Sequence, residues 1–479
     1  MMARMPRVLV SLFALIVPLT VVAAGHDLST STTQQLSPVV TGNSPGFAVA
    51  WIDQSPNRPG IGASRVSNTG DPLDGPGITL AQTSTHSLAI AQSPSETLTV
   101  WSTNGGIFAA RLTPSGVLLD STPIVIALQF VDEVAVDWDG SRYFVVWSSG
   151  PRLFGSLVGS DGTVTPPRQI LDRWNVATSV LSPDATWNGH EHVVVFAESP
   201  PAQANCTCPP PPDHVSVMRV SAEGDAIDAI PLRIQGLHTR AHVASSGAES
   251  LIVMDDGGHT SSMIVREVSG TLHLDAEVPL FHWFYPVSSD VAWNGSSYTV
   301  GWRYPGTPSG PSWLASTRVT STGVPSETLF TTVGSPDFSN DSPSWGPSVA
   351  ANGAGEIAFV VAELALPSSV SRGRLYLMSE MQPSPAAPPA PRNVISYFGG
   401  NTARIDWQSE SAEGFLLEWS YDFGNTWNYY TTLPADARTT TQRAYVGNLF
   451  RVSAFGPGGM SAGTITSIGS QQRRHSARQ

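Results

Sequence analysis

Few short runs in this sequence hold side chains able to do chemistry. The most unusual is Phe281-His282-Trp283-Phe284-Tyr285, whose contiguous aromatics could stack on sugar rings or peptide side chains. Arg173-Trp174 falls in an equivalent connection earlier in the chain, and Arg303-Tyr304 opens a loop nearby. These eight residues are the candidate ligand contacts, and packing between neighbouring elements is the competing reading. Asp255-Asp256-Gly257-Gly258-His259 has atoms suited to a metal or to acid–base work, but lacks the ligand spacing of an EF-hand loop, which favours a solvated turn. His190-Glu191-His192 leaves a tight turn into a strand with both imidazoles on one face; zinc would need a further ligand, and HExxH is absent. Cys206 and Cys208, the only thiols, form a candidate tight-loop disulfide or a free pair.

The composition removes whole classes of function. The formal charge is −13, which disfavours nucleic acid. All 25 basic residues are Arg, so Schiff-base chemistry, a Lys-assisted phosphate loop and a Ser-Lys dyad are excluded. No metal or organic cofactor is expected.

Residues 1–24 have the layout of a secretory signal: Arg4 and Arg7, an apolar run from Val8 to Val22, then the small-residue site Val22-Ala23-Ala24. Export to the medium or cell surface is the expectation, with no membrane span after the signal is removed. A monomer is expected.

The elements that must position any site repeat along the chain. Seven apolar triads centre on Ala50, Val100, Val146, Val195, Val253, Gly301 and Phe359. Tight turns precede them, explicit as Asp139-Gly140, Asn188-Gly189, Ser246-Gly247, Asn294-Gly295 and Asn352-Gly353. Such dipeptides between alternating runs mark hairpins, because both turn residues take positive φ. A second turn glycine recurs at Gly70, Gly116, Gly162, Gly224, Gly270 and Gly323. Most are preceded by an Arg or small residue and then an apolar one: Arg65-Val66, Arg111-Leu112, Ser156-Leu157, Arg219-Val220 and Arg318-Val319.

Four short antiparallel strands per unit of about 40 to 60 residues predict the blades of a β-propeller over residues 25–382, with seven blades expected and six or eight as alternatives. The pattern is similar to bacterial secreted propellers with VAWDG-type blades. Since the last copy stops short of a fourth strand, the segment Thr32 to Ser37 is expected to complete it and close the ring. Middle loops vary in length while the tight turns repeat, so any site should lie on the long-loop face near the central channel.

Residues 383–391 form a Pro-rich linker that spans about 28 Å if extended as polyproline II. Residues 392–468 read as a small β-sandwich that resembles a fibronectin type III domain, with Trp407 on an early strand and Phe450-Arg451-Val452-Ser453-Ala454 on a late one. It departs from that family at Asn448, where a corner Tyr would stand. Ser420 to Trp427 resembles the Asp-box of sialidase-type propellers, but it occurs once and outside the repeats, where it would shape a hairpin. Residues 469–479 are expected to be a disordered tail.

The expected function is that of an exported, non-enzymatic recognition or scaffolding protein whose propeller face binds a carbohydrate or protein ligand. The alternative is an extracellular carbohydrate-active hydrolase or lyase. Carboxylates or Arg groups converging over the channel would favour the enzyme; exposed aromatics alone would favour binding.

Overall fold

The computed structural model describes residues 25–43, 45–54, 59–174, 178–199, 214–236, 238–255, 259–282, 288–304, 312–333, 346–365, 370–383, 386–399, 401–425, 427–456 and 459–468. Among these the secondary structure is β, apart from turns and single 3₁₀ turns such as Met378–Glu380. The chain forms propeller-like units: seven antiparallel sheets in succession, each begun by a strand opening on the repeat just described. The opening strands are Gln35–Asn43, Ser87–Gln92, Val134–Trp138, Ser179–Trp187, Arg240–Ser245, Ser289–Trp293 and Ser348–Ala351. Each packs beside the opening strand of the next sheet, and the seventh packs beside the first, so the order of neighbours returns to its start.

Tight turns set this pattern. Gly140, Gly189, Gly247 and Gly295 all have φ between +94° and +100°, a region that a Cβ penalises. The apolar strands they join pack across sheet boundaries. Trp101 shares a cluster with Ala50, Ile61 and Ala63 of the preceding sheet, Trp302 with Leu251 and Val253, and Trp51 with Val360 and Leu375 of the seventh sheet. Truncating such a buried indole to Ala costs about 3–5 kcal/mol. Tyrosines add stitches: Tyr143 donates to the Glu96 carbonyl at 2.9 Å and Tyr298 to the Glu249 carbonyl at 2.7 Å, each reaching a turn of the preceding sheet.

The Arg that stands before Gly70, Gly116 and Gly224 has a mechanical role. Arg65, Arg111 and Arg219 pair with Asp74, Asp120 and Asp228 through Nη2 at 2.6, 2.6 and 2.7 Å. Their guanidinium groups also donate to carbonyls of the next sheet, on Pro114, Ser160 and Gly270. Each clamp therefore ties one third strand to its own sheet's outer end and to its neighbour. The bridges Val66–Pro72, Leu112–Leu118, Val158–Val164 and Val220–Ala226 align Leu157-Val158 with the Arg-apolar pairs, one residue later than the sequence frame of Ser156-Leu157.

The N-terminal segment does pair with the seventh sheet, but through His26–Asp27 rather than Thr32 to Ser37. His26 pairs with Leu375 and Asp27 with Arg374. Residues from Gln35 instead open the first sheet. Leu28, fully buried, anchors this pairing in the cluster of Val40, Phe47, Val360 and Leu375. Asp27 and Arg374 form an ion pair at 3.0 Å, and Gln35 bridges Ser29 and the Gly373 amide.

The Pro-rich segment begins as a strand: Gln382–Pro383 pairs with Leu329 and Phe330 at the edge of the sixth sheet. Beyond it, Arg392–Gly399, Thr402–Gln408 and Thr439–Arg443 form one sheet, and Asn428–Pro434, Gly414–Ser420 and Leu449–Gly456 the core of another. Ile405 and Trp407 of the first pack against Phe415, Phe450 and Val452 of the second. Phe455 and Met460 join the sixth sheet's apolar cluster with Trp313 and Phe330. The small unit thus sits against the sheets, and the linker does not hold it at full reach.

Candidate functional site

Strand register defines the site. The middle residue of each apolar triad pairs with one opening-strand residue: Ala50 with Val39, Val100 with Ala89, Val146 with Ala135, Val195 with Asp184, Val253 with His242 and Gly301 with Asp290. In the seventh sheet Ser348 pairs with Val360, one residue past the expected triad centre Phe359. Val39, Ala89, Ala135, Asp184, His242, Asp290 and Ser348 all line one cavity of about 650 Å³, to which every opening strand contributes. Three consecutive sheets therefore place an Asp, a His and an Asp where the others place small or apolar residues.

Both carboxylates are held by backbone. Asp184 accepts from its neighbour Ala185 N at 2.9 Å and from Val243 N of the next sheet at 2.9 Å. Asp290 accepts from Val291 N and from Val349 N of the next sheet, both at 2.7 Å. Ser348 Oγ continues the series, accepting from Val40 N at 3.3 Å. These side chains lock adjacent sheets together where the strands converge.

His242 lies between the two carboxylates, with Nδ1 3.5 Å from Asp184 and 3.7 Å from Asp290. Protein surrounds the ring, yet its side chain keeps 31% exposure because the cavity admits solvent. Burial opposes the imidazolium, but the contact with Asp184 and the charges of Asp290 and Asp255 outweigh it, raising the pKa to about 9. For Asp290 burial dominates: despite His242, and with Asp184 adding repulsion, its pKa is pushed up to about 6. At neutral pH the imidazole is charged, with no protein hydrogen-bond partner for Nε2 among the described residues. The cavity wall also includes His86, Asp132, Glu133 and Arg240. Chemically, the arrangement offers a fixed N–H donor and positive charge, and its carboxylates already accept hydrogen bonds from the backbone.

The residues singled out from sequence do not assemble here. Arg173 pairs with buried Glu198 at 2.6 Å, which also accepts from Ser216 Oγ at 2.5 Å and lies 3.2 Å from His214 Nε2. Trp174 is 64% exposed, with the Arg152 guanidinium 5.2 Å from its ring. Arg303 is buried and donates to the Ala362 carbonyl of the seventh sheet at 2.7 Å. Burial lowers its pKa to about 10 against the opposing pull of Glu363 and Tyr376. None of these three lines the cavity. His282 and Tyr304 end strands whose backbones are described but whose side chains are not. Trp283, Phe284, Tyr285, Cys206 and Cys208 lie outside the described residues.

Two other runs have structural partners. Asp255 is buried at the joint with the sixth sheet, accepting from Thr260 Oγ1 at 2.8 Å and Ser289 N at 2.9 Å. His192 is fully buried and stacked on Phe144 at 4.3 Å. Sequence reasoning passed over Asp184, His242 and Asp290, although a signal was present. Each stands at one fixed spacing before a turn opener, Asn188, Ser246 or Asn294, inside an otherwise apolar strand.

No protein-family model matches the chain, and no curated protein matches it. Solved structures similar to it include hydrazine synthase of Kuenenia stuttgartiensis, with 10% identity and TM-score 0.45, covering 73% of this chain and 96% of that one. The Dos1 propeller has 8% identity and TM-score 0.40, covering 80% and 93%. A prolyl endopeptidase has 13% identity and TM-score 0.44, covering 81% and 55%.

Proposed function

We propose that this chain is an exported recognition protein: a seven-bladed β-propeller closed by its N-terminal segment, carrying a fibronectin type III-like domain, and binding a carbohydrate in the cavity around His242. Support for the blade count comes from the cycle of seven opening strands. Support for the domain comes from two packed sheets sharing the Trp407 core. The observation that carries the binding role is the charged imidazole held between Asp184 and Asp290 in a cavity of about 650 Å³. That volume suits a small polar ligand. Hydroxyl-rich sugars match a wall that mixes donors, acceptors and apolar side chains. The test is a glycan array probed with the wild-type protein and with His242→Gln. Ligands bound by the first and lost by the second support the reading; equal signal from both removes the cavity as the site.

The convergence of Asp184 and Asp290 on one nitrogen favours a second reading, a glycan hydrolase or lyase. Against it, both carboxylates already accept two backbone N–H bonds each, which commits them to joining adjacent sheets. Incubating any array-positive glycan with the protein and with Asp290→Asn separates the readings. Cleavage products from the wild type alone would establish the enzyme.

A further inference from the structure

We propose that the C-terminal unit is a pH-sensitive arm, docked on the sixth sheet while the Glu413 carboxyl is protonated and loosened from it once that carboxyl ionises. The dock is an apolar joint at one end of the unit. Glu413 stands just before the strand Gly414–Ser420, and its N–H donates to the Phe455 carbonyl at 2.8 Å. Gly414 pairs with Phe455, and a Cβ on Gly414 would lie 2.3 Å from Phe455 Cζ, so the ring covers the start of that strand. The same ring is 2% exposed and belongs to the sixth sheet's cluster with Trp313 and Phe330, which Met460, its strand partner, also joins.

The linker adds the third side. A Cβ on Gly456 would lie 3.3 Å from Pro388 Cγ and 3.8 Å from Glu413 Cγ, which places the Glu413 side chain beside the linker and the docked strand end. A proline, a phenylalanine ring and a glycine give a carboxylate no counter-charge. Among the described residues the carboxyl has no hydrogen-bond or ion-pair partner, and burial alone pushes its pKa up to about 7. The charged groups on the elements around it are engaged elsewhere. Glu410 pairs with Arg392 at 3.4 Å, Arg451 with Glu418 at 2.5 Å, and Arg438 donates to the Ser409, Ala435 and Ala437 carbonyls. On the sixth sheet, Arg303 donates to the Ala362 carbonyl and Arg318 contacts Met378 Sδ at 3.8 Å. Residues 386–391 of the linker carry no titratable side chain.

Protonation and docking are therefore linked. A carboxyl raised by burial favours the docked form most below its ordinary 4.5; that preference fades as pH rises to about 7 and is gone above it. Opening the joint hydrates the ionised group, whereas closing it strips water from a charge that no partner compensates. The joint can open without unfolding the unit, because Phe455 lies outside the unit's own core of Ile405, Trp407, Phe415 and Phe450. Glu413 is only part-buried, so solvent screening limits the effect on the docking equilibrium to about tenfold.

The test is small-angle X-ray scattering of the full-length protein at pH 5 and pH 8, fitted as a mixture of docked and released forms. The ratio of docked to released protein should be about tenfold lower at pH 8, seen as a larger radius of gyration. Glu413→Gln should scatter at pH 8 as the wild type does at pH 5. Hydrogen exchange on the same samples guards against loss of folding: the strand Thr402–Gln408, within the Trp407 core, should stay protected at both pH values. The proposal is overturned if wild-type scattering is the same at both pH values, or if Glu413→Gln expands at pH 8 like the wild type. It is equally overturned if Thr402–Gln408 loses protection as the protein expands, because the unit would then be unfolding rather than undocking.

Discussion

Leu28→Ala tests how the N-terminal segment joins the seventh sheet to the first. Leu28 is fully buried between the first and seventh sheets, and a Cβ placed on Gly373 would lie 2.4 Å from its Cδ1, so little free volume surrounds it. Removing a buried leucine side chain costs about 2–5 kcal/mol, the upper part applying where the surroundings cannot collapse. Leu28 packs against β-strands fixed on both sides, so about 3 kcal/mol is the expected loss. With a urea slope of about 3 kcal/mol/M, the midpoint should fall by about 1 M. Tryptophan fluorescence during urea unfolding reads this directly, because Trp51 shares the cluster. The control is Asp27→Ala, which removes a part-exposed ion pair with Arg374 and should cost less than about 1 kcal/mol. A Leu28→Ala midpoint within about 0.2 M of wild type would refute the argument that the N-terminal segment joins the last sheet to the first.

Other expectations follow from single contacts. Arg111→Ala strands Asp120 and the buried Glu96, and should cost about 3 kcal/mol by denaturant unfolding. Arg404→Ala, which breaks the exposed pair with Asp406, should leave the midpoint unchanged. Burial raises the Glu413 pKa to about 7 at the Phe455 end of the small unit. A raised carboxyl favours the protonated form in the folded state, so its penalty is absent below the ordinary value of 4.5, grows as pH rises from there to about 7 and is full above it. Glu413→Gln should therefore raise the melting temperature at pH 8 and leave it unchanged at pH 4. For His242, raised to about 9, the sign is opposite in charge type: its stabilisation is full below the ordinary histidine value and is lost as pH rises through 9. His242→Gln should flatten the stability profile between pH 7 and 9.

The repeat was legible because turn chemistry is local. In Asp139-Gly140 and Asn294-Gly295 the glycine alone takes positive φ, a correction to the expectation for both residues, while the Asp or Asn accepts the turn amides through its side-chain oxygen, and the alternation around them sets which face is buried. What depends on neighbouring strands was harder to see. The clamping Arg was visible at Arg65, Arg111 and Arg219, but its partners Asp74, Asp120 and Asp228 stand beyond a turn and meet it only through strand pairing. The closing strand is two residues long, too short for alternation to show, which is why His26–Asp27 was missed in favour of Thr32 to Ser37. The site was obscured for a related reason. Contiguous aromatics stand out in a sequence, whereas Asp184, His242 and Asp290 are single polar residues in apolar strands far apart along the chain. Only the common register, sheet against sheet, brings them onto one cavity.

Histidine NMR across a pH titration measures the central feature most directly, with the His242 resonance assigned by its loss in His242→Gln. The imidazole held between Asp184 and Asp290 should titrate at about 9, and Asp290→Asn should lower that value while leaving the fold intact. A His242 that titrates at or below the ordinary histidine value of about 6.5 would contradict the charged centre on which the binding role rests.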